Sequence, residues 1–346
     1  MKFKKITDVE LKNKIVFIRT DMNVPIQDGK ITDATRITAG LGTIKYALDH
    51  GAKVIVATHL GRPAEGMCSL DNSVKIVADY LAQLLQQKVM VINDITQPID
   101  FNHVNIAMLE NVRCNVGEKN NDAKLGQQYA KLCDIFVHDA FATAHRKEAS
   151  TYAIGEYVEV VCAGLLMSSE LTALTNAISN PILPVVAIVA GSKVSTKLNI
   201  LENLANKVDY LIVGGGILNT FLLASGKNVG KSLIEEELVG NARQIMHKMS
   251  SHNKAVPLPT DVITAKHFSP DAAAIEKNIS DIEADDMILD IGSSFAKELA
   301  QIVNSAGTII WNGPLGVFEF DQFANGTKIL ATAIAQSKAF SLAGGG

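Results

Sequence analysis

The sequence lacks most of the features that would tie it to a membrane, a nucleic acid or a metal. No apolar run approaches the ~20 residues needed to span a bilayer. After the N-terminal lysines only residues 15–18 are continuously apolar, and Arg19 and Asp21 end that run, so neither a signal peptide nor a membrane segment is expected. Lys and Arg number 32 against 36 Asp and Glu, a formal net charge of −4. No global basic field therefore recruits nucleic acid or an anionic membrane, and any anion must be captured locally. The four cysteines, Cys68, Cys114, Cys133 and Cys162, have no metal-ligand spacing and read as unpaired thiols in a reducing cytosol. Repeats of solenoid period and low-complexity tracts are absent. So is the Gly-x-x-x-x-Gly-Lys spacing of a Walker A loop. No Gly-x-Gly-x-x-Gly follows the first strand, which counts against a nicotinamide dehydrogenase.

What the chain does have is length and alternation. Its 346 residues exceed one compact core and suit two domains, and 47% hydrophobic with 20% charged residues describes a globular enzyme. Short β-branched runs at 14–19, 53–58, 88–92, 105–109, 134–138, 185–189, 210–213, 287–291, 308–311 and 338–342 alternate with helical stretches. That is the pattern of parallel strands joined by crossover helices. Ile37, Leu41, Ile44 and Leu48 share one face of a helix predicted over 33–50 and closed by Gly51. A long helix is predicted over 159–179, stopped by the prolines of Asn180-Pro181-Ile182-Leu183-Pro184. The fold class expected is α/β, with two doubly wound, Rossmann-like parallel-sheet domains: 1–160, a connecting helix and hinge at 161–180, and 181–346.

In open parallel sheets, ligands bind beyond the carboxyl ends of the strands. In the first half those ends carry Arg19, Asp21, Asn23, His59, Arg62, Arg113 and Arg146, with Arg36 at the start of the first crossover helix. Guanidinium forks match carboxylate and phosphate oxygens, so the rim suits a small, multiply charged anion. In the second half the ends are glycines and lysines: Gly191-Ser192-Lys193 with Lys197, Gly214-Gly215-Gly216, Asp290-Ile291-Gly292-Ser293-Ser294, Asn312-Gly313-Pro314 and Gly344-Gly345-Gly346. Glycine lets main-chain amides approach phosphate, and Lys193 and Lys197 are expected on one face of the following helix. An arginine wall facing a glycine and lysine wall across a hinge serves phosphoryl transfer, where catalysis is mainly positioning and charge neutralisation.

Four stretches carry a resemblance. Arg19-Thr20-Asp21-Met22-Asn23-Val24-Pro25, Asp139-Ala140-Phe141-Ala142-Thr143-Ala144-His145-Arg146, Gly191-Ser192-Lys193-Val194-Ser195-Thr196-Lys197-Leu198 and Trp311-Asn312-Gly313-Pro314-Leu315-Gly316-Val317-Phe318-Glu319 resemble the motifs of the phosphoglycerate kinase family, in its order. The resemblance implies reversible transfer of the acyl phosphate of 1,3-bisphosphoglycerate to Mg-ADP. It implies that Asp21, Asn23, Arg36, His59, Arg62, Arg113 and Arg146 hold the glycerate substrate. Arg36 and Lys193 would neutralise the transferring group from either side. Gly191, Ser192, Lys193, Lys197, Gly214, Gly215, Gly216, Asn312, Pro314, Glu319, Gly344, Gly345 and Gly346 would serve the nucleotide. Mg²⁺ would arrive with ADP or ATP, no protein metal ligand being expected here. The family also implies a cytoplasmic monomer.

Three departures accompany the match. Ala190 stands where a glycine is common. Glu148 puts a negative charge near Arg146 and is expected at the surface. The family pattern continues past the last glycines with Asp-Thr and a further strand and loop. The chain is therefore expected to be incomplete at its C-terminus, with a truncated, catalytically impaired nucleotide-binding or interaction protein as the alternative.

Overall fold

The computed structural model describes residues 3–344, which divide into two compact units, one up to Thr172 and one from Ala173. In the first unit a six-stranded sheet has the order β5-β6-β4-β1-β7-β8. Its strands are β1 (Ile15–Thr20), β4 (Lys53–Ala57), β5 (Val89–Ile92), β6 (Ile106–Leu109), β7 (Ile135–Asp139) and β8 (Val160–Ala163). All five pairings are parallel. A two-stranded ribbon, β2 (Ile26–Gln27) with β3 (Lys30–Ile31), follows β1. The apolar runs are continuous because both faces are covered. Val16, Ile18, Val54 and Val56 pack with Ile37 and Ile44 of α1 (Thr35–Asp49) and Val77 and Leu81 of α2 (Lys75–Leu85). The alternate residues Phe17, Ile55 and Phe136 pack with Leu125 and Tyr129 of α3 (Ala123–Ala130) on the other face. Gly51, at φ +77°, closes α1 as its sequence position requires.

The helix predicted over 159–179 is a strand followed by a helix. Val160, Val161 and Cys162 extend the sheet beside β7, and only after Gly164 does α4 (Leu165–Ser179) begin. β-branched residues packed on a pleated edge outweigh the helix formers downstream. The first turn of α4 is held to α1 and to the sheet: Leu165 N donates to Thr43 Oγ1 of α1 at 2.9 Å and Met167 N to Asp139 Oδ1 of β7 at 2.9 Å. Burial pushes the Asp139 carboxyl up to about 6. The helix ends ahead of Pro181, and the division between the units falls within it.

The second unit carries a parallel sheet of order β10-β9-β14-β15, built from β9 (Val185–Ala190), β10 (Tyr210–Gly214), β14 (Thr308–Asn312) and β15 (Phe340–Gly344). Around it lie α5 (Leu198–Ala205), α6 (Gly216–Ala224), α7 (Val239–Ser250), α8 (Ser293–Ser305) and α9 (Asn325–Gln336). Beside these is a three-stranded antiparallel sheet, β12-β11-β13, of β11 (Asp261–Ala265), β12 (Ile275–Asn278) and β13 (Met287–Ile291). The run at 287–291 therefore belongs to an antiparallel sheet and not to the parallel one.

The expectation of four unpaired thiols is also corrected. Cys68 and Cys114 form a disulfide, while Cys133 and Cys162 are free. The loop after β4 folds back on the 3-10 turn Val112–Cys114 that follows β6, leaving the two Cα atoms 5.3 Å apart, within bridging range.

Candidate functional site

In the first sheet the strand order reverses at β1, and the crevice beyond its carboxyl end is where a ligand is expected. A connected polar network lines it. Arg36 Nη1, in the first turn of α1, donates to Asp21 Oδ2 at 2.8 Å, and Asn23 N donates to Asp21 Oδ1 at 3.2 Å. Asn23 Oδ1 accepts from Gly61 N at 2.8 Å, and Arg113 Nη1 donates to Gly61 O at 2.9 Å. Four sequence-distant segments are thus fastened to one another. Arg36 and Arg146 have 53% and 40% of their side-chain surface exposed, so two cations of the rim remain open to solvent. Arg62 is exposed as well.

His59 is 4% exposed, and its Nδ1 lies 4.0 Å from Asp21 Oδ1. Burial, reinforced by Arg19, Arg113, Arg146 and Arg36, pushes its pKa down to about 2. The ring is therefore neutral at pH 7. His59 Nδ1 and Arg113 Nε are buried without a hydrogen-bond partner among the described residues. Orphaned polar atoms in a cationic crevice are what an anionic ligand would satisfy. The depressed pKa has a stability consequence. The unfolded ring takes a proton below its ordinary 6.5 and the folded ring does not. Stability from this site is thus present above 6.5 and lost as pH falls toward 2. Between pH 7 and pH 5 the chain should lose about 2 kcal/mol that a His59→Gln variant does not lose, measured by urea unfolding of both at both pH values.

Two charged residues sit differently from the sequence expectation. Arg19 is not on the open rim. It is fully buried, with Nε donating to Ser150 Oγ at 2.9 Å and Nη1 to Thr20 O at 2.6 Å. Behind Ser150 lies Glu118, also fully buried, which accepts from Ser150 Oγ at 2.5 Å and Ser150 N at 3.1 Å. Burial pushes the Glu118 carboxyl up to about 7, with Arg19 pulling it back. Glu148, expected at the surface, is 7% exposed and 3.9 Å from Arg146 Nη1. A surplus of positive charge at one sheet end requires counterions, and both glutamates are drawn inward to supply them.

In the second unit a cavity of about 560 Å³ opens beyond β9 and β14. Lys197, Asn312, Pro314 and Gly344 line it, together with Ala190, Trp311, Gly313, Phe318, Thr327 and Ala343. Lys197 Nζ donates to Ala190 O at 2.6 Å and to Asn312 Oδ1, and burial lowers its pKa. Asn312 Nδ2 donates to Gly344 O at 3.2 Å. Sequence reasoning left Phe318 and Thr327 outside the site. Phe318 lay within a quoted motif, whereas nothing local marks Thr327, whose hydroxyl accepts from Leu315 N at 3.0 Å.

Gly191, Ser192, Lys193, Gly214, Gly215, Gly216 and Glu319 do not line that cavity. Lys193 and Glu319 are exposed. The two lysines are not on a helix: α5 starts at Leu198, Lys197 is its N-cap, and Lys193 lies in the loop ahead of the turn at 195–197. Glu235 fixes that turn, accepting from Ser195 N at 2.9 Å and Ser195 Oγ at 2.5 Å. The glycines at the ends of β9 and β10 allow close main-chain approach. Ile217 N donates to Gly191 O and Gly215 N to Leu315 O. A Cβ on Gly215, at φ +64°, would lie 2.8 Å from Gly191 O. The strand end at Asp290, expected on this wall, is not available to phosphate. The first amides of α8 already donate to carboxylates, Ser293 N to Glu276 and Ser294 N and Phe295 N to Asp261. Asp290 is itself buried and accepts from Gly326 N at 2.8 Å. Gly345 and Gly346 lie outside the described residues. Among the described residues no helix is long and apolar enough to cross a membrane.

Comparison with known proteins agrees with this arrangement. The phosphoglycerate kinase family model matches residues 6–346. The solved structure of phosphoglycerate kinase from Coxiella burnetii is 47% identical, with a TM-score of 0.93, covering 100% of this chain and 88% of that one. Phosphoglycerate kinase from Pyrococcus horikoshii OT3 is 32% identical at a TM-score of 0.80, covering 99% of this chain and 88% of that one. These matches give no support to a truncated, impaired protein as the alternative. On a family match over residues 6–346 and 47% identity across its whole length to a solved member, the chain belongs to the phosphoglycerate kinase family.

Proposed function

We propose that the chain catalyses the reversible transfer of the acyl phosphate of 1,3-bisphosphoglycerate to Mg-ADP, giving 3-phosphoglycerate and ATP, as a monomer in the cytoplasm. The observation that carries the reading is the family match over residues 6–346. The acid substrate is assigned to the first unit, held by Asp21, Asn23, Arg36, His59, Arg62, Arg113 and Arg146. The exposed guanidinium groups take its phosphate and carboxylate oxygens bidentately. Neutral His59 offers a hydrogen bond without competing for the proton. The nucleotide is assigned to the second unit. There the apolar part of the cavity around Pro314 and Phe318 accepts a planar base, and Lys197 meets phosphate oxygens. Mg²⁺ comes with the nucleotide as part of the substrate and spreads charge over its phosphates. Arg36 and Lys193 neutralise the phosphoryl group in flight, and no nucleophilic side chain is needed. In-line transfer requires the two rims to be brought together, so hinge closure near residues 180–184 is part of the proposal.

The test is a coupled assay of ATP-dependent phosphorylation of 3-phosphoglycerate. The parent chain should turn over. A Lys197→Met variant, which loses charge-assisted hydrogen bonds worth about 1.5–3 kcal/mol, should raise the KM for nucleotide by roughly 10- to 100-fold and leave the KM for 3-phosphoglycerate nearly unchanged. Absence of turnover in the parent chain would overturn the reading. Equal effects on both substrates would overturn the assignment of Lys197.

A further inference from the structure

The Cys68–Cys114 disulfide takes no part in phosphoryl transfer, yet it lies among the ties that hold the arginine rim. Cys68 is exposed on the loop that carries Arg62, and Cys114 follows Arg113 in the 3-10 turn. The same two segments are joined by Arg113 Nη1 to Gly61 O at 2.9 Å and Gly66 N to Cys114 O at 2.8 Å. Glu65 adds two bonds, accepting from Lys119 N at 2.8 Å and Gly117 N at 3.1 Å. The disulfide also walls a cavity of about 560 Å³, distinct from both substrate sites, whose polar lining includes Ser69, Asn93 and Asn115. A small polar thiol can therefore reach the bridge from solvent through Cys68 and from this cavity through half-buried Cys114.

We propose that Cys68 and Cys114 form a thiol-exchange site for low-molecular-weight thiols and disulfides, whose redox state sets how firmly the Arg62 and Arg113 segments are held for the acid substrate. The proposal rests on the assignment of that substrate to the first unit. An exposed disulfide in a thiol-rich compartment is exchangeable and not structural. In the exchange, the thiolate of a small thiol attacks Cys68 Sγ and forms a mixed disulfide. The Cys68–Cys114 bond breaks, and its electron pair leaves on Cys114, which takes a proton. A second small thiolate attacks the exogenous sulfur and releases Cys68, which is protonated in turn. Two electrons reach the protein, and the two small thiols end as one disulfide. A small disulfide reverses the sequence. With the bridge open the loop at 61–72 gains freedom that substrate binding must remove, so affinity falls.

The experiment equilibrates the full chain with dithiothreitol or with oxidised glutathione. Alkylation and mass spectrometry then map free thiols, while calorimetry with 3-phosphoglycerate and the coupled assay give affinity and rate. The expected result is that Cys68 and Cys114 alkylate only after reduction. The KM and Kd for 3-phosphoglycerate should be roughly threefold to tenfold lower in the oxidised chain, with kcat within about twofold. A Cys68→Ser variant should stay at the reduced values under both conditions. Equal alkylation of the pair in both states, or equal affinity with the bridge open and closed, would overturn the proposal. Loss of turnover in both states bears on the kinase reading alone, because thiol mapping and calorimetry decide the redox question without turnover.

Discussion

An Arg36→Ala variant should lose about three orders of magnitude in kcat and unfold at the same urea concentration as the parent chain. Two features of the side chain separate these outcomes. It is 53% exposed and pairs with Asp21 at 2.8 Å, its one ion pair among the described residues, so little stability is at stake. Its position at the start of α1, beside Asp21 and within the electrostatic reach of His59, leaves its remaining guanidinium hydrogens free for a substrate oxygen. Charge that develops on a transferring phosphoryl is met by a preorganised cation in a partly desolvated crevice, which is where such a group has its largest effect. Arg36→Lys keeps the charge and loses the fork, and should recover only part of the rate. The coupled assay with urea unfolding checks this; a kcat within tenfold of the parent would remove Arg36 from the catalytic role.

Arg19→Leu should act in the opposite way, destabilising the fold by about 3–5 kcal/mol because it strips a buried carboxylate of its cation. Ser150 and Thr20 O lose their donor, and Glu118 is left with Ser150 and Tyr129 alone. The loss should depend on pH. Glu118 has a folded pKa of about 7 against an ordinary 4.5. A carboxyl raised in this way is protonated in the folded state and ionised in the unfolded one between those values, so its contribution to stability falls as pH rises from 4.5 to 7. Without Arg19 that window extends upward. The variant should therefore recover part of its deficit at pH 5.5 relative to pH 8, and adding Glu118→Gln should recover most of it at both. Denaturant unfolding across pH checks this. A pH-independent deficit would show that packing, and not the unpaired charge, carries the cost.

Much of this site was legible because parallel strands buried on both faces write themselves as unbroken apolar runs. The residues after each run then point to the crevice: Asp21 and Asn23 after β1, His59 after β4, Arg113 after β6. Burial of charge was not legible. Arg19 and Glu148 look like rim residues in one dimension, and only the packing of β1 against the segment at 118–150 draws them inward. The strand Val160–Ala163 was hidden by the helix formers behind it. Strand β12 was missed because an exposed antiparallel strand such as Ile275–Asn278 has no apolar run to betray it, and β11 because Val262 and Ile263 are its only large apolar residues before Thr264. Cys68 and Cys114 stand 46 residues apart, and sequence spacing says nothing of a loop that folds back. The rim at Asp290 failed for another reason. Its glycine and serines do precede a helix, but the carboxylates that occupy that helix's amides come from β11 and β12, which the sequence reading did not contain.

A glycine at the seam of the second sheet bears on how the protein can vary. Gly313, at φ +98°, places main chain against the carbonyl of Ala190, and both residues line the lysine cavity, so this part of its wall is peptide and not side chain. A wall of that kind has no functional group to lose and no substitute that fits. In a survey of every single replacement, the positions of least tolerance around the cavity would therefore include residues with no chemistry of their own. The aromatic and lysine positions facing the cavity would grade from mild to severe, whereas the seam would be all or nothing.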